Sequence, residues 1–451
     1  MAQRDRQQLH GIKIVPNVIQ KILNRFDGHM QELLRGASIA LSLKILAAGL
    51  AFGLNVVIAR TLGADDAGLF FLSLILVTIA ATLGQAGTEG ALVRFISASH
   101  TEDNWSKIKG IYKQSLLLTI GSSLVLSMAL FFSAPILANK IFDKPELEVI
   151  LQIMSIAITP YALYSMHSAA LQGLKKIRDA NIVLGILAPA FTLAGCAILL
   201  PDNGVVGAGT AYVFSAVLTM IVGIFFWRSH ISIQKNTLPV FDFKILVKSA
   251  YPLLGVTIFQ LILMCNATLL LGLWSTESEV AVFHAANRVA MLTSFILMAV
   301  NSILAPKLSA CFANHDRALA SSLIKKSTGL MIVFSAPLLL VMIIFPYEIM
   351  AIFGEDFRAG ADLLIILAVA QFINVITGAV GLVLIMSGNE VKLRHAFFIA
   401  AIASLVFGIA LIHEFGSIGA AFSMAIGIVL VNLLAAYFVV RHAKVNIFFV
   451  R

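Results

Sequence analysis

The sequence predicts an all-α membrane protein of twelve transmembrane helices in two pseudo-symmetric six-helix lobes. Three observations predict this: a mostly apolar composition, a series of helix-length apolar runs, and a pattern that repeats at a displacement near 213 residues. Of the 451 residues, 59% are hydrophobic and only 12% are charged. The mean hydropathy is +0.95, far from the balance of a water-soluble domain. The runs have the length, about 20 residues, that a helix needs to cross the hydrocarbon core. They lack the period-two alternation of a barrel strand, so their backbone polar groups must be satisfied within helices.

Taken in order, residues 1–36 carry six basic groups (Arg4, Arg6, Lys13, Lys21, Arg25, Arg35) and no compact apolar core. They read as a cytoplasmic arm with an amphipathic surface helix, not as a cleaved signal peptide. An N-lobe at 37–227 holds helices 1–6, at roughly 37–59, 67–88, 111–134, 149–171, 181–200 and 206–227. The polar stretch RSHISIQKNTLPVFDFK marks a cytoplasmic inter-lobe loop, 228–248. A C-lobe at 249–440 holds helices 7–12, at 249–273, 280–304, 326–346, 361–386, 394–412 and 418–440, and 441–451 form a cytoplasmic tail. With both termini inside, 26 of the 32 Lys and Arg residues fall on the inner side. Only Arg60, Lys140, Lys144 and Arg358 fall outside, as the positive-inside rule requires. The net charge of +9 is therefore a topology signal and does not imply nucleic acid as a partner.

The halves repeat in order. GADDAGLF (63–70) lies against TESEVAVF (276–283), with Gly68 on Ala281 and Phe70 on Phe283. LQGLKKIRDA (171–180) lies against MSGNEVKLRH (386–395), with Gly173 on Gly388 at an offset of 215. GVVGAGTA (204–211) lies against GSIGAAFS (416–423). Repeats of six helices are related by an axis along the membrane normal, and such folds place the substrate path between the halves.

Helix 1 begins IALSLKILAAGLAFGLNVVIAR and carries an ammonium, Lys44, inside the span. A cation at mid-helix costs roughly 2.5–3.5 kcal/mol unless it snorkels, pairs or faces water. Lys44, Ala48, Ala51 and Asn55 share one face, since eleven residues at about 100° each return almost to the start. In helix 8, His284 stands one turn before Arg288. Helix 10 places Gln371, Asn374 and Gly378 on one stripe, and helix 7 offers Gln260 and Asn266. Each has a structural reading: snorkelling or pairing for Lys44 and Arg288, packing for His284, interhelical hydrogen bonding for Gln371 and Asn374. Gly49 and Gly53, a GxxxG pair, are expected to allow close helix contact. Acids are nearly absent from the spans, with Asp362 and Glu89 expected at helix ends. Buried positive charge suits a translocated anion, and a guanidinium fork suits phosphate. No P-loop, HExxH or GxSxG occurs, so no enzymatic constellation stands out. Cys196, Cys265 and Cys311 frame neither a disulfide nor a metal site.

ARTLGADDAGLFFLSLILVTIAATLGQAGTEGALVRFISA (59–98) resembles the opening signature of the polysaccharide flippases, of Wzx or O-antigen translocase type. These belong to the multidrug/oligosaccharidyl-lipid/polysaccharide exporter superfamily. ALQGLKKIRDANI, LLLGLWSTESEVAVFHAANRVA and FGEDFRAGADLLIILAVAQFINVITG extend the likeness over nearly the whole chain. The resemblance implies a MATE-like fold with a central cavity lined by helices 1, 2, 7 and 8. It implies transport of an undecaprenyl-pyrophosphate-linked oligosaccharide to the outer leaflet of a bacterial inner membrane, for polysaccharide or O-antigen assembly. Lys44 and Arg288 are the residues that could take the pyrophosphate, with Asn55, His284, Gln371 and Asn374 as further candidate binding groups. No cofactor is implied, and neither proton nor sodium is singled out as a coupling ion. Membrane lipids, a polysaccharide polymerase and assembly proteins are the implied partners. The rival readings are a drug or cation antiporter of the same superfamily, a lipid II flippase with two extra helices, and a non-transporting scaffold of an assembly complex.

Overall fold

A computed structural model describes residues 28–231 and 243–445. Most of the arm (1–27), the centre of the inter-lobe loop (232–242) and the last tail residues (446–451) lie outside the described residues. No strand occurs among the described residues. Among the described residues, nine helical stretches are long and apolar enough to cross a bilayer, counting Leu147–Ser155 with Ile158–Gly173 as one stretch bent by 42°. Three of the nine double back at a glycine, which makes twelve crossings.

The three turns are Gly63 (φ 77°), Gly204 (φ 51°) and Gly416 (φ 54°), each in a backbone region where a Cβ is strained. Residues on either side of each turn come together, directly or on a shared neighbour. Ser404 Oγ donates to Ser423 O at 3.0 Å and Ser423 Oγ to Ser404 O at 2.7 Å. In a straight helix those residues would be roughly 28 Å apart. Ser215 Oγ likewise donates to Ala188 O at 2.7 Å. Asn55 and Phe71, sixteen positions apart, both touch His284.

The observed helices 1–12 are thus 28–62, 64–101, 105–141, 147–173, 177–203, 205–231, 243–274, 277–313, 317–344, 361–386, 390–415 and 417–443. They overrun the hydropathy runs because hydropathy sees only the hydrocarbon core, while the helices continue into the headgroup region. The described ends of the inter-lobe loop are accordingly helical, with helix 6 running to Ile231 and helix 7 starting at Phe243. Helix 1 likewise begins at Gly28, inside the segment expected as an arm.

The repeat is visible in the backbone hydrogen bonds. Between helices 2 and 3, Asp103 N donates to His100 O, Asn104 N to Ser99 O and Trp105 N to Asp103 O. Between helices 8 and 9, His315 N donates to Phe312 O, Asp316 N to Cys311 O and Arg317 N to His315 O, the same pattern 212 residues on. Asn104 and Asp316 also cap the following helices in the same way, accepting from Lys107 N and Leu319 N. Between helices 4 and 5 the pattern corrects the sequence register. Leu174, Lys175 and Lys176 bond as Ser387, Gly388 and Asn389 do, an offset of 213. Gly388 (φ 74°) therefore answers Lys175 (φ 60°), not Gly173. Gly173 serves packing instead, since a Cβ there would sit 2.7 Å from Ile96 Cβ.

The main core runs through both halves. Leu69, Phe70, Phe71 and Leu72 of helix 2, Phe283 of helix 8, and Phe353 and Phe357 after helix 9 are all about 1% exposed or less. Apolar packing at this density holds membrane helices together by dispersion and shape, because lipid already solvates apolar side chains. Small polar groups add directional links, as where Asn266 Nδ2 donates to Ser404 Oγ at 3.0 Å and ties helix 7 to helix 11.

Candidate functional site

Helix 1 carries Asn55 toward helix 8. Its Nδ2 donates to Ala51 O at 2.6 Å on its own helix, which leaves Oδ1 for His284 Nε2 at 3.2 Å. One turn further along helix 8, Arg288 Nε lies 3.3 Å from the same His284 Nε2. Phe71 of helix 2 stacks on the imidazole with ring centroids 4.1 Å apart. Asn55, His284 and Arg288 thus form one chain between the halves.

His284 Nε2 cannot serve both neighbours at once, because one ring nitrogen either donates or accepts. In the Nε2–H tautomer it donates to Asn55 and Arg288 is released. In the Nδ1–H tautomer it accepts from Arg288 and the link to Asn55 is lost. The position of Arg288 and the tie between the halves are therefore coupled through one proton. Arg288 is half-buried, and among the described residues its two terminal nitrogens hold no hydrogen bond. Lys44, also half-buried, makes no hydrogen bond or ion pair among the described residues.

Gln371 and Asn374 form a separate cluster. Ser294 Oγ donates to Gln371 Oε1 at 2.6 Å, and Asn374 Nδ2 lies 3.4 Å from both. This cluster binds helix 8 to helix 10, and Thr377 Oγ1 continues it to Asn432 of helix 12 at 3.3 Å. Gly378 (φ 75°) marks the break in helix 10. Asn266 is buried against Ser404, whereas Gln260 is exposed. The GxxxG expectation is corrected: a Cβ at Gly49 or Gly53 would meet nothing within 4 Å, so neither mediates close helix contact. Among the described residues, no atom packs against either position at that distance.

Glu89, expected at a helix end, is exposed in the first turn of Thr88–Thr101, just after a break in helix 2 where Ala86 (φ 51°) and Gly87 (φ 71°) interrupt the spiral. The sequence signal for the break is GQAGTEG, a polar and glycine-rich interruption. Among the described residues no His, Cys, Asp and Glu cluster could hold a metal, and the three cysteines are free and buried.

The end poor in basic residues is sealed by contacts between the halves. Lys144, only 8% exposed, sits 3.3 Å from Glu277 Oε1 and donates to Ser275 O at 2.8 Å. Arg60 Nε donates to Ile352 O at 2.7 Å, and Phe52 meets Phe353 edge to face. Gly68 lies under the Glu277 backbone, where a Cβ would come within 1.9 Å of the carbonyl oxygen.

Comparison with known proteins agrees with this architecture. The "Lipid II flippase MurJ, inward closed conformation" is similar with a TM-score of 0.72 at 16% identity, covering 89% of this chain and 87% of that one. An inward-facing multidrug resistance MATE family transporter is similar with a TM-score of 0.69 at 16% identity, covering 89% and 97%. In sequence, the chain is 25% identical over 411 residues to the "Probable low-salt glycan biosynthesis flippase Agl15" of Haloferax volcanii, 87% of this chain and 80% of that protein. It is 30% identical over 144 residues to "Stage V sporulation protein B" of Bacillus subtilis, 32% of this chain and 27% of that one. The profile of the polysaccharide biosynthesis protein family matches residues 33–312. The match spans more than half of the chain, and the chain belongs to the polysaccharide biosynthesis protein family.

Proposed function

We propose that the chain is a flippase that carries an undecaprenyl-pyrophosphate-linked oligosaccharide from the inner to the outer leaflet of a bacterial cytoplasmic membrane, for polysaccharide or O-antigen assembly. The observation that carries this reading is the pair of half-buried cations, Lys44 and Arg288, paired with no carboxylate among the described residues. A pyrophosphate diester brings about two negative charges into a low-dielectric interior, and two unpaired cations offset much of that desolvation cost. The guanidinium can hold phosphate oxygens through two parallel N–H bonds, and the ammonium acts as a point charge. Agl15 and MurJ are named as flippases, which supports the same direction of function.

In this reading the basic-rich end is cytoplasmic, both termini lie there, and the sealed end faces out. Headgroup and sugars enter between the halves while the prenyl tail stays in lipid. An anion on Arg288 draws it from His284, and rocking of the halves then opens the seam at Lys144 and Gly68. Gln371 and Asn374 hold sugar only if the anion-bound state frees them from Ser294. The cycle makes and breaks no covalent bond. A polymerase and assembly proteins would receive the product.

The test is surface polysaccharide in a host lacking its own flippase, expressing wild type, Lys44→Ala or Arg288→Ala at equal membrane abundance. Each variant is expected to lose at least about tenfold in export, the value of one charge-assisted contact. Normal export by both variants would overturn the anion-cavity reading.

A further inference from the structure

The basic-rich end of the second half contains a cavity of about 480 Å³, apart from the cleft between the halves. Its polar lining is His315 from the loop between helices 8 and 9, Arg317 from the start of helix 9, Ser387 and Asn389 from the loop between helices 10 and 11, Ser309 from the end of helix 8 and His442 from the end of helix 12. Among the described residues no carboxylate lines it. Two acids adjoin lining residues in sequence: Asp316 caps helix 9, where it accepts from Leu319 N at 2.9 Å, and Glu390 is exposed in the first turn of helix 11. His442 Nδ1 is buried without a hydrogen-bond partner. Among the described residues, neither His315 nor Arg317 has an ion-pair partner.

The first half supplies an internal comparison, because its backbone is equivalent at offsets of 212 and 213. His442 corresponds to His230, His315 to Asp103, Arg317 to Trp105, and Lys392 to Asp179. In the first half His230 Nε2 meets Asp179 Oδ2 at 2.8 Å, and Trp105 Nε1 donates to Asp103 Oδ1 at 2.6 Å. There the frame is closed by its own carboxylates. In the second half basic residues stand at both acid positions, and the equivalent histidine has no carboxylate partner at Nε2 among the described residues and a buried, unpartnered Nδ1. A buried ring nitrogen without a partner is costly, and beside it the exposed His315 and Arg317 carry donors that an anion from outside can meet.

We propose that this cavity binds a phosphate group, forming a second anion site distinct from the translocation cleft. Arg317 supplies a fixed fork of donors, His442 and His315 supply ring N–H groups, and Ser309 supplies a neutral donor, while Ser387 and Asn389 are bonded to each other and form the wall. The phosphate belongs either to an anionic phospholipid headgroup at the bilayer surface or to free phosphate in solution. The inference does not depend on the nature of the transported substrate.

The experiment compares full-length wild type with Arg317→Gln/His442→Gln and with His315→Asp, which places in the cavity the carboxylate the first half already has. Retention of phosphatidylglycerol over phosphatidylcholine is read by native mass spectrometry from mixed-lipid nanodiscs. The melting temperature in neutral detergent is read with excess inorganic phosphate against chloride. A headgroup site gives preferential phosphatidylglycerol retention that both variants lose by about tenfold. A free-phosphate site gives a rise in melting temperature with phosphate that both variants lose, without lipid preference. If the double variant does not fold, His315→Asp alone decides. Variants that melt like wild type in chloride and match it in both phosphate readouts would overturn the proposal.

Discussion

Gly68→Ala is expected to open the sealed end of the protein. A methyl group at this position would lie 1.9 Å from Glu277 O, 2.5 Å from Glu277 C and 2.9 Å from its Cα, all of them backbone. A carbonyl carbon cannot step aside as the tip of a flexible side chain can, so helix 2 and helix 8 must separate where the halves meet. Overpacking of this kind costs about 1–3 kcal/mol. If the cost falls on the sealed state alone, the sealed population drops by roughly tenfold to a hundredfold relative to open ones. The measurement is the labelling rate of Ser275→Cys by a membrane-impermeant maleimide, with and without Gly68→Ala, at equal abundance. Acceleration of at least about tenfold is expected. Gly90→Ala is the control, because its new methyl would meet Leu253 Cδ1 at 3.0 Å, the end of a side chain that can turn away. Equal labelling in all three proteins would remove the seam from the mechanism.

Breaking the Lys144–Glu277 pair should act at the same place by a different route. Lys144 is 8% exposed and Glu277 26%, so removal of either leaves a charge largely out of water. Loss of a charge-assisted contact of this kind costs about 1–3 kcal/mol. Glu277→Ala should lower the melting temperature and accelerate labelling at position 275, and Lys144→Ala should do so more strongly. The asymmetry follows because Lys144 Nζ also holds Ser275 O. The double reversal Lys144→Glu with Glu277→Lys should recover the ion-pair share but not the Ser275 bond. Strictly additive single effects with no recovery would show that the pair does not couple the halves.

The sequence revealed most of the fold for a physical reason. Inside a bilayer, helix length, apolar composition and loop charge are each fixed by the solvent, so Arg60 and Lys144 could be placed on the basic-poor side without coordinates. The repeat was legible at Gly204 and Gly416, where turn geometry demands the same residue twice. It was misread by two residues at Gly173 and Gly388, because one glycine serves close packing and the other a left-handed backbone, and sequence shows only that both are glycine.

At the site, helical spacing put His284 one turn before Arg288, and the folded chain brings that pair to Asn55. Spacing says nothing about depth or pairing between distant helices. It suggested interhelical hydrogen bonding for Gln371 and Asn374 without naming Ser294 as the partner, and it gave no sign that Lys144 closes on Glu277. Gly49 and Gly53 have the spacing of a contact motif, but the face they occupy meets open space.

The most direct test of the central claim is translocation in proteoliposomes. The purified chain is reconstituted with a fluorescent undecaprenyl-pyrophosphate-linked oligosaccharide, and the fraction reached by an impermeant glycosidase is followed with time. Wild type should expose substrate at a rate well above protein-free vesicles, and Arg288→Ala and Lys44→Ala should each lower that rate by about tenfold at equal incorporation. Rates for wild type indistinguishable from empty vesicles, or rates for both variants equal to wild type, would contradict an interior in which those two cations carry the pyrophosphate across.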